Sequence, residues 1–308
     1  MSTATASLSA IAPIDVAEDE VARRRTPLGR IAAHVFLFVI AVLWLVPLVW
    51  AMYTSLRPNA ETLRKGYVSL PDKLTFNNYT QAWRQGQIPH FLINTLFIAI
   101  PGVFITLFLS SMVAYVVTRF SWRFNVALLV LFTSGNLLPQ QVIILPLFHM
   151  FKRMWLPWFL SDSGHFLNSA FGLIAIHVAF QTGFCTFVLS NYMKTIPKEL
   201  GEAAMVDGAS VPKQFFRVIL PLCRPALAAL ATLEFTWIYN DFFWAVVLVN
   251  QGNDRPITSS IANLTGQFFS DSNLVAAGSL LIALPTLIVY LILQKQFIGG
   301  LTLGANKG

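Results

Sequence analysis

The sequence predicts an all-α membrane protein with six transmembrane helices and a cytoplasmic helix-turn-helix loop between the fourth and fifth of them. Composition is the first indication, because 56% of the 308 residues are hydrophobic and only 11% are charged, which excludes an ordinary soluble domain. The second is a charged stretch at 199–221, which stands between runs long and apolar enough to cross a bilayer. Its charges place this stretch outside the lipid.

Residues 1–30 are predicted to form a cytoplasmic tail that is disordered at its start, because its first part is polar and contains no apolar run. A transmembrane region at 31–298 and a cytoplasmic tail at 299–308 follow. Polar residues 55–90 include aromatic side chains, so we expect them to pack as an ordered segment. Proline interrupts helical hydrogen bonding, and Pro139 and Pro146 therefore predict a bend in the third span. The six predicted spans are 31–53, 91–117, 125–150, 168–190, 225–249 and 274–293.

The distribution of positive charge predicts the orientation. With the amino terminus inside, more than half of the 21 Lys and Arg residues lie in inner segments, as is typical of cytoplasmic loops. Both termini and the stretch 199–221 are therefore expected on the cytoplasmic side of a multi-pass protein of the cytoplasmic (plasma) membrane. The net charge of +7 is divided among loops between apolar spans, so no nucleic-acid partner is expected.

The loop at 194–224 has the pattern of a helix-turn-helix. Good helix formers run to Asp207, and Gly208 suits the left-handed position that commonly ends a helix. Ser210 can cap a second helix that Pro221 would stop. Such a loop can be held by another protein. The alternative is an amphipathic loop lying on lipid headgroups.

Residues of this loop carry a family resemblance. The order Glu202-Ala203-Ala204, then Gly208, then Val218-Ile219-Leu220-Pro221 resembles the EAA signature of ABC-importer permease subunits, with Val218 where Ile is usual. The stretches INTLFIA, LLPQQVIILPLF, YNDFFWAVVLV and FIGGLTLGANKG are similar to permeases of carbohydrate-type ABC importers. They are most similar to the shorter permease of the maltose importer.

The resemblance implies that the loop docks on a cytoplasmic ATPase. Small side chains at Ala203 and Ala204 would let the partner's backbone approach closely, and Glu202 would offer a carboxylate to a partner cation. The implied partners are a second permease subunit in a heterodimer, two ATP-binding subunits and an extracytoplasmic solute-binding protein, with the tail at 299–308 reaching the ATPases. The predicted coupling residues are Glu202, Ala203, Ala204, Gly208, Val218, Leu220 and Pro221.

An enzymatic role has little support in the sequence. No Gly-Lys dipeptide occurs, so the chain lacks a phosphate-binding P-loop. We expect a non-catalytic subunit with no metal or cofactor of its own, and with ATP and magnesium bound by the partner ATPases. Cys185 and Cys223 show no metal-ligand spacing, and His177 is expected to be packed within its span.

Acidic residues in the predicted fifth span are the strongest indication of a functional surface inside the membrane. Glu234 and Asp241 would each cost about 2.5 to 3.5 kcal/mol at a helix centre, so this span should face protein or a water-filled cavity. On a continuous helix, one arc would contain Glu234, Trp237, Asp241 and Trp244, with Asn240 beside it. Carboxylates beside indoles suit a sugar-conducting path. The alternative is a buried contact with the partner permease.

A polar outer loop at 250–273 follows, in which Asn253, Asp254 and Arg255 are candidates for contacting the binding protein; the alternative is a solvated connector. The predicted function is a permease subunit that translocates a sugar or oligosaccharide by alternating access. An importer of a polyol or glycerophosphate-type solute would have similar features. A membrane scaffold, and a secondary transporter driven by an ion through Glu234 or Asp241, are competing classes, although the two halves show no internal repeat.

Overall fold

The computed structural model describes residues 27–120, 123–135, 139–161, 163–249, 252–260, 264 and 271–302, and only the backbone of 27, 260 and 295–302. These parts of the chain are helical, with one isolated antiparallel bridge between Trp155 and His165. The helices are α1 Pro27–Ser55, α2 Asn59–Lys65, α3 Asn77–Gln85, α4 Ile88–Arg119, α5 Asn125–Ser134, α6 Ile144–Arg153, α7 Ala170–Met193, α8 Glu199–Val206, α9 Val211–Gln214, α10 Leu220–Leu222, α11 Arg224–Tyr239, α12 Phe243–Leu248, α13 Ile257–Ser260 and α14 Ser272–Thr302.

Four helices in the described residues are long and apolar enough to cross a membrane by themselves, namely 28–55, 88–119, 170–193 and 272–294. A fifth crossing is obtained if 211–222 and 224–239, which meet at 74°, form one bent span. The structure thus agrees with an all-helical membrane protein, and it differs from the sequence prediction in the third and fifth spans.

The third predicted span, 125–150, is divided between two helices. Helix α5 ends at Ser134, and after Pro139 the chain forms a short 3₁₀ turn at Gln140–Ile143 that leads into α6. Pro146 lies in the first turn of α6, where its missing N–H has no intrahelical partner to lose. Pro146 therefore does not break its helix, and the interruption lies on the amino-terminal side of α6.

The fifth predicted span, 225–249, is wrong as a continuous helix. Helix α11 ends at Tyr239, and α12 begins at Phe243. The Asp241 carboxylate accepts hydrogen bonds from the backbone N–H groups of Trp244 (3.3 Å) and Ala245 (3.2 Å). An aspartate side chain that satisfies these amides starts a new helix, since it replaces the carbonyls of the preceding turn. We call residues 240–242 the α11–α12 break.

Helices α4 and α7 share the most extensive helix–helix contact, and α11 packs against α14 and α4. Small and hydroxyl residues allow this close approach. Ser110 Oγ of α4 donates to the carbonyl oxygen of Thr182 in α7 at 3.1 Å, and a Cβ at Gly102 of α4 would lie 3.1 Å from Ile238 of α11. Interfaces of this type hold membrane helices together through close packing and short polar contacts.

The predicted packing of residues 55–90 is confirmed. The guanidinium of Arg57 is buried and donates to the carbonyl oxygen of Tyr67 at 2.9 Å and to Ser69 Oγ at 2.8 Å. Its Nη2 atom also lies 3.5 Å from Oε1 of buried Glu61. Asn78 donates to the carbonyl oxygens of Ser55 and Arg57, each at 2.7 Å. Buried hydrogen bonds therefore hold this segment as a folded unit beside α14.

The chain divides into two compact units, one up to residue 50 and one from residue 51 onward. In the described part of the first unit, Pro47 lies inside α1, and the apolar side chains are exposed apart from half-buried Ile40. In the second unit, α14 runs through Gly299 and Gly300 to Thr302. The apolar span at 272–294 agrees with the predicted sixth span, and the helix continues beyond it into the predicted tail. Residues 303–308 of that tail lie outside the described residues, as do residues 1–26.

Candidate functional site

A helix-turn-helix follows α7 in the order that the sequence predicts. Helix α8 ends at Val206, Gly208 adopts φ +76 with open space around it, and α9 begins at Val211. The side chain of Gln214 closes the turn, because its Nε2 donates to the carbonyl oxygen of Ala209 at 2.9 Å. The predicted Ser210 side-chain cap is wrong, because its side chain makes no capping hydrogen bond.

The second helix of this loop does not stop at Pro221, which is a further correction. The chain passes through a π-helical turn at Phe215–Ile219 and helix α10 before bending into α11. The N–H of Leu220 bonds to the carbonyl oxygen of Phe215, five residues back. Proline at the next position has no N–H to give, so a locally wider turn precedes it.

The two sides of the helix-turn-helix differ in exposure. Helix α8 buries no side chain, and its Val206 is 88% exposed. Among the predicted coupling residues, Glu202, Ala203 and Gly208 are exposed and Ala204 is half-buried. The other three face inward. Val218 and Leu220 pack against a buried apolar cluster that includes Phe215 and Ile219, and Pro221 is half-buried beside them. The predicted coupling residues therefore form two groups: those at 202–208 lie on an exposed surface, and those at 218–221 pack against the buried cluster.

Arg119, at the end of α4, fixes the start of this loop. Its Nη2 donates to the carbonyl oxygens of Met193 (3.3 Å) and Ile196 (3.1 Å), where α7 ends. A cation at the carboxyl end of a helix satisfies free carbonyls and opposes the helix dipole favourably. In the sequence, Arg119 counts only among the positive charges that predict the orientation. Its position directly after an apolar span is the feature that could have indicated a role at the helix ends.

A polar cavity of about 350 Å³ lies between α7 and the α11–α12 break. It contains three of the five predicted path residues and adds polar groups from other helices. The lining residues are Gln140, His177, Phe180, Gln181, Trp237, Asp241 and Trp244. The cavity therefore combines indole rings, carboxamides and one carboxylate.

Asp241 and His177 meet in this cavity, with Asp241 Oδ2 and His177 Nε2 3.5 Å apart. His177 is buried in α7, so the expectation of a packed histidine is borne out, although it also has a carboxylate partner. The two tryptophans differ in environment. Trp244 is 2% exposed and packs on Phe180, whereas Trp237 is 42% exposed. Only the Trp237 indole is open to an incoming molecule.

Glu234 does not line the cavity, and the predicted shared arc is therefore wrong. This carboxyl group is fully buried, and the Cys185 thiol of α7 donates to its Oε1 at 3.1 Å. Asn240 is exposed, and its side chain donates to the carbonyl oxygen of Thr236 at 2.9 Å. The arc assumed one helical register through 249, which the break at 240–242 removes.

Residues 253–255 are attached to the beginnings of two helices. Asn94 Nδ2 donates to the carbonyl oxygens of Asn253 and Arg255, the latter at 3.1 Å. Asp254 Oδ2 accepts from the N–H of Ala170, the first residue of α7, at 3.2 Å. Asn253 is exposed, while Asp254 and Arg255 are half-buried. The description as a solvated connector does not fit this segment.

Thr258 links the segment 253–255 to the cavity, because its Oγ1 donates to the carbonyl oxygen of Asp241 at 2.7 Å.

In the described part of the chain, no group of three or more His, Cys, Asp and Glu residues is arranged to hold a metal ion.

Comparison with known proteins places these features in one family. The family model described as "Binding-protein-dependent transport system inner membrane component" matches residues 106–297, more than half of the chain. The chain belongs to this family. The matched region of this inner membrane component contains the helix-turn-helix, the cavity residues and the segment 253–255.

Curated relatives are similar over most of their length. A probable ABC transporter permease protein of Pyrococcus horikoshii is 31% identical over 264 residues, which are 85% of this chain and 92% of the relative. A melibiose/raffinose/stachyose import permease protein of Bacillus subtilis is 30% identical over 88% of this chain and 94% of the relative. This chain is thus a multi-pass transmembrane permease component of an ABC importer.

A solved structure has the same fold. The chain matches, with a TM-score of 0.73 and 23% identity, a subunit of a bacterial ABC transporter involved in the import of the acidic polysaccharide alginate. The match covers 89% of this inner membrane component and 98% of the solved chain.

Proposed function

We propose that this permease moves a sugar or oligosaccharide inward by alternating access, as one of two membrane-spanning subunits of an ATP-driven importer. The observation that carries the proposal is the cavity that joins Trp237, Asp241 and Gln181 within the region matched by the family model. Pyranose C–H faces stack on indoles, and sugar hydroxyls bond to carboxylates and amides. The import of sugars by a relative that is 30% identical supports the same solute class.

In this proposal the chain crosses the membrane six times with both termini in the cytoplasm. Helices α1, α4, α7 and α14 each make one crossing, and α5 with α6 forms the third. We assign the fifth crossing to α11 with α12, and not to 211–222 with 224–239, because 211–222 belongs to the helix-turn-helix. Broken crossings are tolerated where the interrupted backbone borders protein or a polar cavity. Both interrupted pairs satisfy this condition, because Gln140 and Asp241 line the same cavity.

The helix-turn-helix is proposed to dock on one of two ATP-binding subunits, which would hold ATP and magnesium. The exposed α8 surface with Glu202 and Ala203 would make the contact, and buried Phe215 and Ile219 would transmit its displacement. Closure of the ATPases would then rock this chain against a second permease subunit. The tail beyond Thr302 is proposed to approach the ATPases as well.

A solute-binding protein is proposed to dock at residues 253–255, since the family is described as binding-protein-dependent. Exposed Asn253 is the natural first contact. Asp254 and Arg255 are hydrogen-bonded to the beginnings of α7 and α4. A partner that binds there would therefore displace these two helices directly. Of the five residues predicted for the path, Trp237, Asp241 and Trp244 line the cavity and are the proposed path residues. Glu234, buried against Cys185, and Asn240, bonded to Thr236, are not among the lining residues.

The coupling assignment is tested with Glu202→Lys and Gly208→Pro in the assembled importer. Both should lower sugar uptake at least ten-fold while the ATPase subunits still hydrolyse ATP, because the docking surface loses its charge match or its turn. Lys213→Ala, an exposed substitution in the same loop, is the control. Normal uptake by the Gly208→Pro variant would contradict the proposal.

A polyol or glycerophosphate-type solute is the main alternative. A polyol is uncharged, as a sugar is, whereas a glycerophosphate carries negative charge. The cavity lining contains Asp241 and no Lys or Arg, which disfavours an anionic solute. Mass spectrometry of the molecule that copurifies with the cognate binding protein decides the question. A phosphorylated solute would exclude the sugar assignment.

A further inference from the structure

The cavity contains more hydrogen-bonding capacity than the protein itself uses. Among the described residues, the carboxamides of Gln140 and Gln181 have no hydrogen-bond partner, although both are half-buried in a membrane protein. An unpaired polar group away from water is costly, so such groups are normally satisfied by protein, water or ligand. Two free carboxamides around one cavity are therefore available to an occupant that supplies their partners.

Asp241 also retains capacity. Its two oxygens accept from Trp244 and Ala245 and lie against His177, whereas a carboxylate offers about four acceptor positions. One position thus remains for a hydroxyl donor. The same carboxylate repels anions, and the lining contains no Lys or Arg to attract them.

Size and shape restrict the occupant further. The volume of about 350 Å³ is near the lower end of the range of about 300 to 1,000 Å³ for small-molecule sites. The partly exposed indole of Trp237 lines this cavity together with His177 and Gln181 of α7, so the wall combines a flat apolar ring with polar groups. A single ring with hydroxyls at its edge and C–H groups on its face fits these conditions.

We infer that this cavity is a solute-binding site within this subunit itself, taking one uncharged sugar ring that stacks on Trp237 and bonds to Gln140, Gln181 and the His177–Asp241 pair. The inference rests on the proposed function and adds its specificity-determining residues. Thr258, bonded to the Asp241 carbonyl, connects the site to the outer segment 253–255. Arrival of a binding protein there would act on the site directly.

The test uses the complete importer, with both permeases, the ATPases and the binding protein, trapped with vanadate and incubated with radiolabelled melibiose or raffinose. Gln140→Leu and Gln181→Leu should each reduce the retained sugar at least ten-fold. The matched control is Gln141→Leu, because Gln141 is the exposed neighbour of Gln140 and does not line the cavity. Its retention should equal that of the wild type.

Thermal stability separates a binding role from a structural one. Leucine has a similar volume and removes an unpaired polar group, so both cavity variants should melt at the wild-type temperature or above it. Lost retention with lost stability would overturn the inference in favour of a structural role. Retention by both variants equal to the wild type would also overturn it, because the sugar would then be held by the other permease.

Uptake by reconstituted wild-type importer distinguishes failure of this inference from failure of the proposed function. Uptake of melibiose or raffinose together with unaffected retention in the variants rejects the site and leaves the sugar importer intact. Uptake of sn-glycerol 3-phosphate and of neither sugar rejects both.

Discussion

Single side chains stabilise the places where the chain of this permease leaves one helix and changes direction. Asp241 caps α12 with two hydrogen bonds, contacts His177 of α7 and offers its carbonyl to Thr258. Arg57 plays a similar part in residues 55–90, where it joins two carbonyls, a serine and Glu61. Each of these residues connects several parts of the chain, so its replacement should affect stability as well as transport.

Replacement of Asp241 by Ala should destabilise the purified complex by about 1 kcal/mol from the lost cap alone. Asp241→Asn should have a smaller effect, since one oxygen can still accept from an α12 amide. Thermal unfolding in detergent measures both. Asn240→Ala is the control, because that exposed side chain makes one hydrogen bond within α11. An unchanged melting temperature for Asp241→Ala would contradict the capping role.

Replacement of Arg57 by Met should cost about 3 to 5 kcal/mol, because it leaves the Glu61 carboxylate buried without its cation. Arg64→Met is the matched control, since Arg64 forms an exposed ion pair with Asp72, and exposed pairs contribute about 0 to 1 kcal/mol. The yield of folded protein after purification and its melting temperature are the measurements. Similar losses in both variants would show that burial of Arg57 is not decisive.

At the scale of elements, interrupted helices distinguish this chain from a simple bundle. The π-helical turn at Phe215–Ile219 and the 74° bend before α11 connect the helix-turn-helix to the membrane region. Tyr115 of α4 lies against Phe215, with ring centroids 5.2 Å apart. Phe108 of α4 also stacks on Phe216, so aromatic contacts and the hydrogen bond from Arg119 together join α4 to this loop. Movement of α8 would therefore reach α4 as well as α11.

Replacement of Arg119 by Met should weaken coupling, because the carbonyls of Met193 and Ile196 lose their donor. We expect sugar uptake to fall several-fold with basal ATP hydrolysis retained, at a stability cost of about 1 to 3 kcal/mol. Arg123→Met is the control, since Arg123 is exposed and lies over the Phe124 ring. Equal uptake in the two variants would exclude a special role for Arg119.

At the scale of the whole molecule, the proposed topology puts the two proposed contact surfaces on opposite sides of the membrane. Both native cysteines, Cys185 and Cys223, are free and buried, so a cysteine introduced at the surface can be labelled selectively. Asn253→Cys should react with a membrane-impermeant maleimide in intact cells. Val206→Cys should react only after the cells are permeabilised. The reverse result would overturn the proposed orientation, and labelling of both cysteines from the same side would overturn the six-crossing topology.

Association of this chain with its proposed partner subunits can be tested by copurification. An affinity-tagged form of this chain should copurify with a second permease and with ATP-binding subunits. Substitution of exposed Leu200 and Met205 in α8 by Asp should release the ATPases and leave the permease pair together. Loss of the second permease in the same variant would show that α8 is needed for more than ATPase docking.

The sequence by itself determined the membrane class, the helical architecture and the order of α8, Gly208 and α9. These depend on local properties: the length of apolar runs, the position of charges and the conformational freedom of glycine. The same reasoning failed at 240–242, because nothing local shows that Asp241 will cap a new helix instead of continuing the old one.

Only the tertiary structure decided which polar side chains act together. It separated Glu234 from Asp241 and placed Gln140, His177 and Gln181 around one cavity. Gln140 lies in the turn before α6, His177 and Gln181 lie one turn apart on α7, and Asp241 lies in the α11–α12 break, so three separate segments of the chain meet at the cavity. Their proximity results from the packing of α7 against the interrupted helices, and contacts of this kind have no signal in the spacing of residues within any one segment.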